Sequence, residues 1–146
     1  MPVMNATRFE HFFRTAAGLD VDKEDLKRYN DFLDQQLQDM YLMAGITAKT
    51  NARDVVEAHD FPITKGLQER VREFDKLFSE LADVLDEMAP RPPDITLSEE
   101  AEAWVPRIAG GISLGLAHTF KILAPDLANP RTTHWESAFR LFDLLL

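Results

Sequence analysis

The sequence lacks cysteine, and this absence excludes several classes of chemistry. None of the 146 residues is Cys, so disulfide bonds, thiolate-ligated zinc and thiol catalysis are excluded. The chain also lacks an apolar run long enough to cross a bilayer. Its first residues, Met-Pro-Val-Met-Asn-Ala-Thr-Arg, lack the basic flank and apolar stretch of a signal peptide. We therefore expect a cytoplasmic protein.

Basic residues are scarce relative to acidic ones. The chain has 16 Lys and Arg against 25 Asp and Glu, which gives a formal net charge of −9. Proteins that wrap nucleic acid are usually basic, because neutralising phosphates supplies much of their affinity. The charge balance therefore favours protein partners over DNA, which would need a local basic patch. The hydrophobic content of 45% is typical of a folded domain with a sizeable core.

Motifs for catalysis and for metal binding are also missing. The four histidines, at positions 11, 59, 118 and 134, have no metal-ligand spacing with one another. His59 and Asp60 could form a catalytic pair, but no nucleophile, Gly-rich phosphate loop or zinc-protease motif accompanies them. We expect a protein without enzymatic activity, metal or cofactor.

The periodicity of apolar residues predicts helices throughout the chain. A capping box at Thr7 opens a first short helix that ends at Gly18. Asp22 caps a second helix, in which apolar residues recur every three or four positions up to Ala48. Pro62 fixes the first turn of a third, shorter helix.

A second group of helices follows in the same order of lengths. One pattern predicts a continuous helix before the Pro-rich segment 89–93; its residues are Val71, Phe74, Phe78, Leu81, Leu85 and Met88. A capping box at Thr96 opens a long helix with an apolar stripe up to Leu123, and Pro125 follows its end. A last short stripe runs from Trp135 to Leu145. The sequence thus predicts one all-α domain with an internal repeat, residues 5–72 and 73–146.

Segments spread over the chain carry a family resemblance. They include Phe9-Glu10, Phe13-Arg14, residues 16–23, Asp25-Leu26-Lys27-Arg28, Asp31-Phe32-Leu33, residues 51–54, Asp60, Pro62-Ile63, residues 65–69, Asn129-Pro130 and the final Leu-Leu-Leu. Together they resemble a bacterial family of histone-fold pseudodimers of unknown function and, more distantly, archaeal histones. The resemblance implies two histone-fold motifs, each a long helix between two shorter ones, that pair within one chain.

The resemblance implies a structural role for Arg53 and Asp60. In a histone fold, an arginine that leaves the long helix pairs with an aspartate that opens the next helix. A bidentate arginine–carboxylate contact requires those two residue types. The alternative is an ordinary loop in which the aspartate caps a helix. In the second half, Ala138 stands seven positions after Arg131, so no equivalent pair is expected there.

The residues that serve DNA in archaeal histones are mostly replaced. Their second loop carries Arg-Lys-Thr where this chain has Arg53-Asp54-Val55, and their first loop carries an arginine where this chain has Asp20 and Asp22. The remaining candidates for phosphate contact are Lys23, Lys27, Arg28, Lys49, Arg53 and Arg131, with Arg107 as a further one. The alternative for this set is a solvated surface of mixed charge.

Three glycines in the second long helix have two possible explanations. Gly110, Gly111 and Gly115 each cost about 1 kcal/mol relative to alanine inside a helix. The resemblance implies that the two long helices cross near their centres, and we expect close backbone approach at these glycines. The alternative is a weakened helix. Pro106 is expected to kink the same helix.

Two functions follow as hypotheses. The first is a non-enzymatic histone-fold module that acts as a protein-interaction or assembly scaffold, with a protein partner or self-association. The second is a nucleoid-associated architectural protein that binds DNA weakly and without sequence specificity.

Overall fold

The computed structural model describes residues 6–88 and 94–145. This part of the chain forms six α-helices: α1 (Ala6–Ala17), α2 (Lys23–Thr50), α3 (Lys65–Leu77), α4 (Ala82–Met88), α5 (Glu99–Leu123) and α6 (Thr132–Leu145). Two 3-10 turns, at Ala58–Asp60 and Ser79–Leu81, and two strands of two residues each, β1 (Val55–Val56) and β2 (Thr96–Leu97), lie between them. The all-α class predicted from the periodicity is confirmed.

Local signals set the bounds of α2. Gly18 ends α1 with a φ of +64°, a conformation that glycine adopts without strain. Asp22 then caps α2: its Oδ1 accepts from the backbone N–H of Asp25 at 2.9 Å, while Asp25 Oδ2 accepts from the N–H of Asp22 at 3.1 Å. The 28 residues of α2 extend over about 40 Å. This helix is the longest of the six described.

Helix α5 forms the centre of the core. Residues 108–114 are all buried, and a helix that is apolar on every side must be surrounded by others. Tyr29 of α2 donates its hydroxyl hydrogen bond to Ser113 at 2.8 Å, since Ser113 itself donates to the carbonyl of Ala109. Trp135 of α6 packs edge-on against Phe120 with 4.8 Å between ring centroids. Helices α2 and α6 are thereby both packed against α5.

The loops that flank the two long helices are paired reciprocally. The loop after α2 meets the segment before α5: β1 pairs with β2 in parallel, and the N–H of Ser98 donates to the carbonyl of Val56 at 2.9 Å. The loop before α2 meets the segment after α5, where the N–H of Asp20 donates to the carbonyl of Ala128 at 2.7 Å. Each end of the molecule thus joins one loop from each half.

Some predicted boundaries are wrong. The helix predicted from Val71 to Met88 is interrupted at Phe78, which leaves helical geometry and packs against Phe12 with 4.9 Å between ring centroids. Helix α3 begins at Lys65, capped by Thr64 rather than opened by Pro62. The helix α5 is capped by Ser98, two residues later than the predicted cap. The division between residues 72 and 73 falls inside α3.

The three glycines of α5 are sites of close approach, but their neighbours are not on the other long helix. A Cβ atom at Gly110 would overlap the ring of Phe74, and one at Gly111 would lie 2.8 Å from Val71 Cγ2. Both neighbours belong to α3. Gly115 instead faces Phe142 of α6 at an ordinary contact distance. The prediction that the long helices meet at these glycines is wrong, because α3 occupies that face of α5.

Candidate interaction surfaces

The loop after α2 contains the predicted pair of Arg53 and Asp60. The two terminal nitrogens of Arg53 each donate to a different carboxylate oxygen of Asp60 at 2.6 Å. Asp60 also accepts from the backbone N–H of Glu57 at 2.8 Å, and Arg53 donates to the carbonyl of Val55 at 3.2 Å. The Asp60 side chain has no exposed surface, whereas 30% of the Arg53 side chain is exposed. The pair fixes the loop beside β1.

This pair also changes the ionisation of both groups. Hydrogen bonds from Arg53 lower the pKa of Asp60 to about 2, although burial acts in the opposite direction. The same hydrogen bonds raise the pKa of Arg53. Both groups are therefore charged at neutral pH. Because its guanidinium is engaged by Asp60 and Val55, Arg53 is a poor candidate for phosphate contact.

Four of the predicted phosphate contacts come together at the opposite end of α2. The Arg28 guanidinium donates to Thr132 Oγ1 at 2.8 Å, which holds the start of α2 against the start of α6. Lys23 and Lys27 are exposed on the first turns of α2, and Arg131 is exposed just before α6. We call Lys23, Lys27, Arg28 and Arg131 the basic cluster. Nothing in the sequence alone indicates that Arg131 lies with the other three.

Acidic residues reduce the charge of the basic cluster. Asp25, on the same turn, accepts a hydrogen bond from Arg28 at 3.3 Å, and burial raises the pKa of Asp25. In the preceding loop, Asp20 lies 3.6 Å from the Arg14 guanidinium. Asp22, which caps α2, stands beside Lys23. A phosphate would therefore meet a surface of mixed charge.

The remaining phosphate candidates lie elsewhere. Lys49 is exposed near the far end of α2, where it lines a depression of about 230 Å³ together with Arg53 and Asp54. Arg107 donates to Asp75 of α3 at 2.7 and 3.0 Å, so it is engaged between α5 and α3. Apart from Arg107, the candidates thus divide between the two ends of α2, about 40 Å apart.

Negative charge is concentrated in one segment of the sequence. Residues 78–103 contain eight acidic residues and one basic residue, so they account for seven of the nine net negative charges. Asp83 and Asp86 of α4 line one depression with Glu99 and Glu102 of α5. We call these four residues the acidic face. Outside residues 78–103 the chain is close to neutral.

An apolar groove of about 550 Å³ lies between α3, α5 and α6. Leu67 of α3 and Phe142 of α6 stand on either side, and Gly111 and Gly115 of α5 lie between them. A Cβ atom would lie 2.8 Å from Val71 Cγ2 at Gly111 and 3.4 Å from Phe142 Cζ at Gly115, so both glycines line the groove where α5 packs closely against α3 and α6. We call this feature the α3–α5–α6 groove.

Large aliphatic side chains are exposed around this groove. Ile122 is 79% exposed, Leu123 44% and Leu145 72%, and all three line the groove. Leu144, which precedes Leu145 in sequence, is also 79% exposed. The apolar stripes of the sequence predict Leu123 and Leu145 as core residues, and this prediction is wrong. Within the described chain, no element covers the ends of α5 and α6.

A polar network borders the groove on its α3 side. His118 Nε2 lies 3.1 Å from Glu73 Oε1, and Arg70 Nε lies 3.2 Å from the same oxygen. Arg70 and His118 both line the groove. The network links α3 to α5 and places charged groups of both signs at the edge of an apolar surface.

The histidines and acids are not arranged as a metal site. Within residues 6–88 and 94–145, no group of three or more His, Cys, Asp or Glu could hold a metal ion. His134 Nδ1 accepts from the backbone N–H of Arg131 at 2.9 Å, and His59 lies 3.9 Å from Asp60. None of the helices described is both long enough and apolar enough to span a membrane.

Comparison with known proteins identifies the family. A model described as a domain of unknown function, DUF1931, matches residues 9–143. The chain belongs to the DUF1931 family. This DUF1931 protein is similar to a protein of Aquifex aeolicus described only as uncharacterized, with 26% identity over 117 residues, which cover 78% of this chain and 68% of that one.

Two solved structures share the fold of this DUF1931 protein. One, from Thermus thermophilus, is 41% identical, covers 100% of both chains and superposes with a TM-score of 0.85. The other, from Aquifex aeolicus, is 22% identical, covers 96% of this chain and 94% of that one, and gives a TM-score of 0.82. At that lower identity the second likeness concerns the fold alone.

Sequence reasoning missed the groove altogether. Its two glycines are predicted as close-approach positions, but nothing in the sequence distinguishes a helix neighbour from an open groove. The one available signal is the density of aliphatic residues at the ends of α5 and α6, Ile122-Leu123 and Leu144-Leu145, where apolar pairs cover more than one helix face.

Proposed function

We propose that this DUF1931 protein is a histone-fold pseudodimer that acts as a non-enzymatic protein-interaction or assembly scaffold in the cytoplasm. The order of helices supports the fold: α1, α2 and α3 repeat as α4, α5 and α6, with the long helix in the middle of each set. The reciprocal loop pairing gives independent support, because Val56 meets Ser98 at one end and Asp20 meets Ala128 at the other. A pseudo-twofold axis between the two halves would produce this reciprocal pairing of loops.

The α3–α5–α6 groove carries the proposal for function. Single exposed apolar residues are normal on a protein surface, but a contiguous apolar patch usually marks an interaction site. Here a groove of about 550 Å³ is bordered by Ile122, Leu123 and Leu145, which are each at least 44% exposed. A partner that buries these side chains would gain the main favourable term in protein association.

Two features favour a scaffold over an enzyme. Four titratable groups with shifted pKa values, Asp25, Tyr29, Arg53 and Asp60, are explained by burial, capping or loop fixation. They also lie away from the groove lining. An active site usually combines a pocket with perturbed titratable groups, and these four groups are separate from the groove.

The proposal is tested by the size of the protein's complexes in extracts of its own cells. A tagged chain expressed at native level is fractionated by size with and without nuclease treatment. We expect the wild type to migrate in a complex that survives nuclease, and Ile122→Glu to migrate as the free chain. Leu42→Glu is the matched control, because Leu42 is 61% exposed on α2 and does not line the groove.

Two results would contradict this function. A wild type that migrates as the free chain in extract would remove the need for a partner. A complex that persists in Ile122→Glu but disappears in Leu42→Glu would place the interaction on another surface.

DNA binding is a second candidate, favoured by the basic cluster. Contact between Arg28 and Thr132 brings the basic residues of α2 and Arg131 to one end of the molecule. The segment of residues 78–103 accounts for most of the net negative charge, and it lies outside both α2 and α6. A local basic site could therefore act despite the net charge of −9. In the extract experiment, loss of the complex on nuclease treatment would favour this candidate.

A further inference from the structure

The connection between α3 and α4 interrupts a sequence that favours one helix. From Leu67 to Met88 the sequence has neither glycine nor proline, the two residues that disfavour a helix interior most strongly. Apolar residues recur along this segment at alternating steps of four and three, which places them on one helix face; they are Leu67, Val71, Phe74, Phe78, Leu81 and Leu85. The local sequence therefore favours a helix that continues across the break.

Tertiary contacts explain the break. Phe78 leaves helical geometry with a φ of −136° and a ψ of 25°, and its buried ring lies 4.9 Å from that of Phe12 in α1, measured between centroids. The N–H of Phe78 donates to the carbonyl of Phe74 at 2.8 Å, and in the 3-10 turn that follows the N–H of Leu81 donates to the carbonyl of Phe78 at 3.0 Å. The turn thus depends on the packing of Phe78 more than on its own sequence.

Both arms of this turn pack against α5. Phe74 of α3 lies so close to Gly110 that a Cβ atom there would overlap its ring, and Asp75 of α3 accepts from Arg107 at 2.7 Å. Helix α4 also contacts α5, and its Leu85 is 1% exposed. The contacts of α3 with α5 join the first three helices to the last three. A second copy of the chain offers an identical α5 to the same α3.

We propose that residues 78–81 form a hinge with a second state, in which α3 and α4 join into one continuous helix. In that state α1–α3 of each copy pack against α4–α6 of another, as a domain-swapped dimer. Such an exchange restores the contacts between the halves, because the exchanged elements are identical. The two states then differ mainly in the backbone hydrogen bonds that a continuous helix gains at the hinge and in the freedom lost on association.

Refolding over a range of protein concentrations tests the inference. Exchange requires the halves of one copy to separate, so the purified chain is first unfolded in urea. Sedimentation should then show 16.6 kDa after dilute refolding and a growing share of twice that mass after concentrated refolding. The dimer should persist on dilution, because the halves must separate again before it dissociates. A chain that stays monomeric at every refolding concentration would overturn the hinge, and so would a dimer that dissociates as soon as it is diluted.

Proline at the hinge is the specific test. Glu80 is exposed and is the second residue of the 3-10 turn, where the N–H of a helix start has no partner within the helix. Glu80→Pro is therefore compatible with the turn but not with the interior of a continuous helix. Because the dimer contains two hinges, its yield should fall at least about tenfold. Glu80→Ala removes the same carboxylate, permits a helix and should give the wild-type yield. Equal yields from the two variants would contradict the proposal.

Refolding of mixed chains gives a readout that does not require the proline variant to fold. Tagged and untagged wild-type chains that are mixed in urea should form mixed dimers, whereas chains mixed after separate refolding should not. Mixed dimers formed equally by both routes would indicate an ordinary surface contact and overturn the exchange.

The α3–α5–α6 groove is not needed for this dimer. Ile122 lines the groove, so Ile122→Glu should leave the yield of refolded dimer unchanged. Loss of the dimer in this variant would assign the contact to the groove and not to the hinge. The complex in cell extract tests the scaffold function separately, so either proposal can fail while the other stands.

Discussion

Replacing Asp60 with asparagine should destabilise the fold in a pH-dependent way. Asp60→Asn keeps the shape of the side chain and removes its charge. The wild-type carboxylate has no exposed surface and accepts hydrogen bonds from Arg53 at 2.6 Å and from Glu57 at 2.8 Å. The variant loses the charge-assisted part of these bonds, which is the stronger part.

The magnitude follows from the pKa of Asp60. Folding lowers this pKa from 3.8 to about 2, so the ionised carboxylate stabilises the fold. At about 1.4 kcal/mol per pKa unit, the charge contributes roughly 2 to 3 kcal/mol at neutral pH. For a domain of this size such a loss lowers Tm by about 5–10 °C. The contribution should be complete above about pH 4 and disappear as the pH falls towards about 2.

Thermal and urea unfolding of wild type and Asp60→Asn from neutral to acidic pH measures this effect. The stability gap should be largest at neutral pH and should close between about pH 4 and about pH 2. Asp20→Asn is the control, because the Asp20 side chain is 60% exposed and its contact with Arg14 is long, at 3.6 Å. Such a surface pair contributes less than about 1 kcal/mol.

Equal melting temperatures for wild type and Asp60→Asn at neutral pH would refute the reasoning. A gap of the same size at every pH would also refute it, since the loss would then come from packing and not from the charge.

Three further predictions concern packing, a buried hydrogen bond and DNA. Gly110→Ala should lower the free energy of unfolding by about 1–3 kcal/mol, because its Cβ would overlap the buried ring of Phe74. Gly66→Ala should raise it by up to about 1 kcal/mol, because alanine is the better helix former. Urea titration measures both changes. Ser113→Ala should cost about 1–3 kcal/mol in urea unfolding, because it removes the partner of the buried Tyr29 hydroxyl, and an unchanged midpoint would contradict this. Gel shifts with random duplex DNA should show an affinity that falls by roughly one to three orders of magnitude between about 50 and 200 mM salt. Submicromolar binding at about 150 mM salt that Lys27→Glu abolishes would contradict this prediction.

The sequence predicts α2 well, because its signals are local. Asp22 provides the cap, the apolar period continues for the length of the helix, and the observed bounds, Lys23–Thr50, lie within two residues of those predicted. Arg53 and Asp60 also come together, as the resemblance to the histone fold implies. Their seven-residue spacing alone leaves an ordinary loop with a capping aspartate equally open.

Tertiary packing decides the features that the sequence did not predict. Phe78 continues the apolar period between Phe74 and Leu81, yet the helix breaks there and a 3-10 turn follows, with Phe78 buried against Phe12. Periodicity identifies which residues share a face but not whether that face is covered. For this reason Leu145 is predicted as core but is exposed.

Crosslinking from Ile122 in living cells tests the proposed scaffold function most directly. A photoreactive amino acid replaces Ile122 in one variant and Leu42 in a control, and the adducts are examined after nuclease treatment. We expect strong protein adducts from position 122 that resist nuclease, and few from position 42. Adducts that form equally from both positions, or that appear only with DNA, would contradict a protein-binding role for the groove.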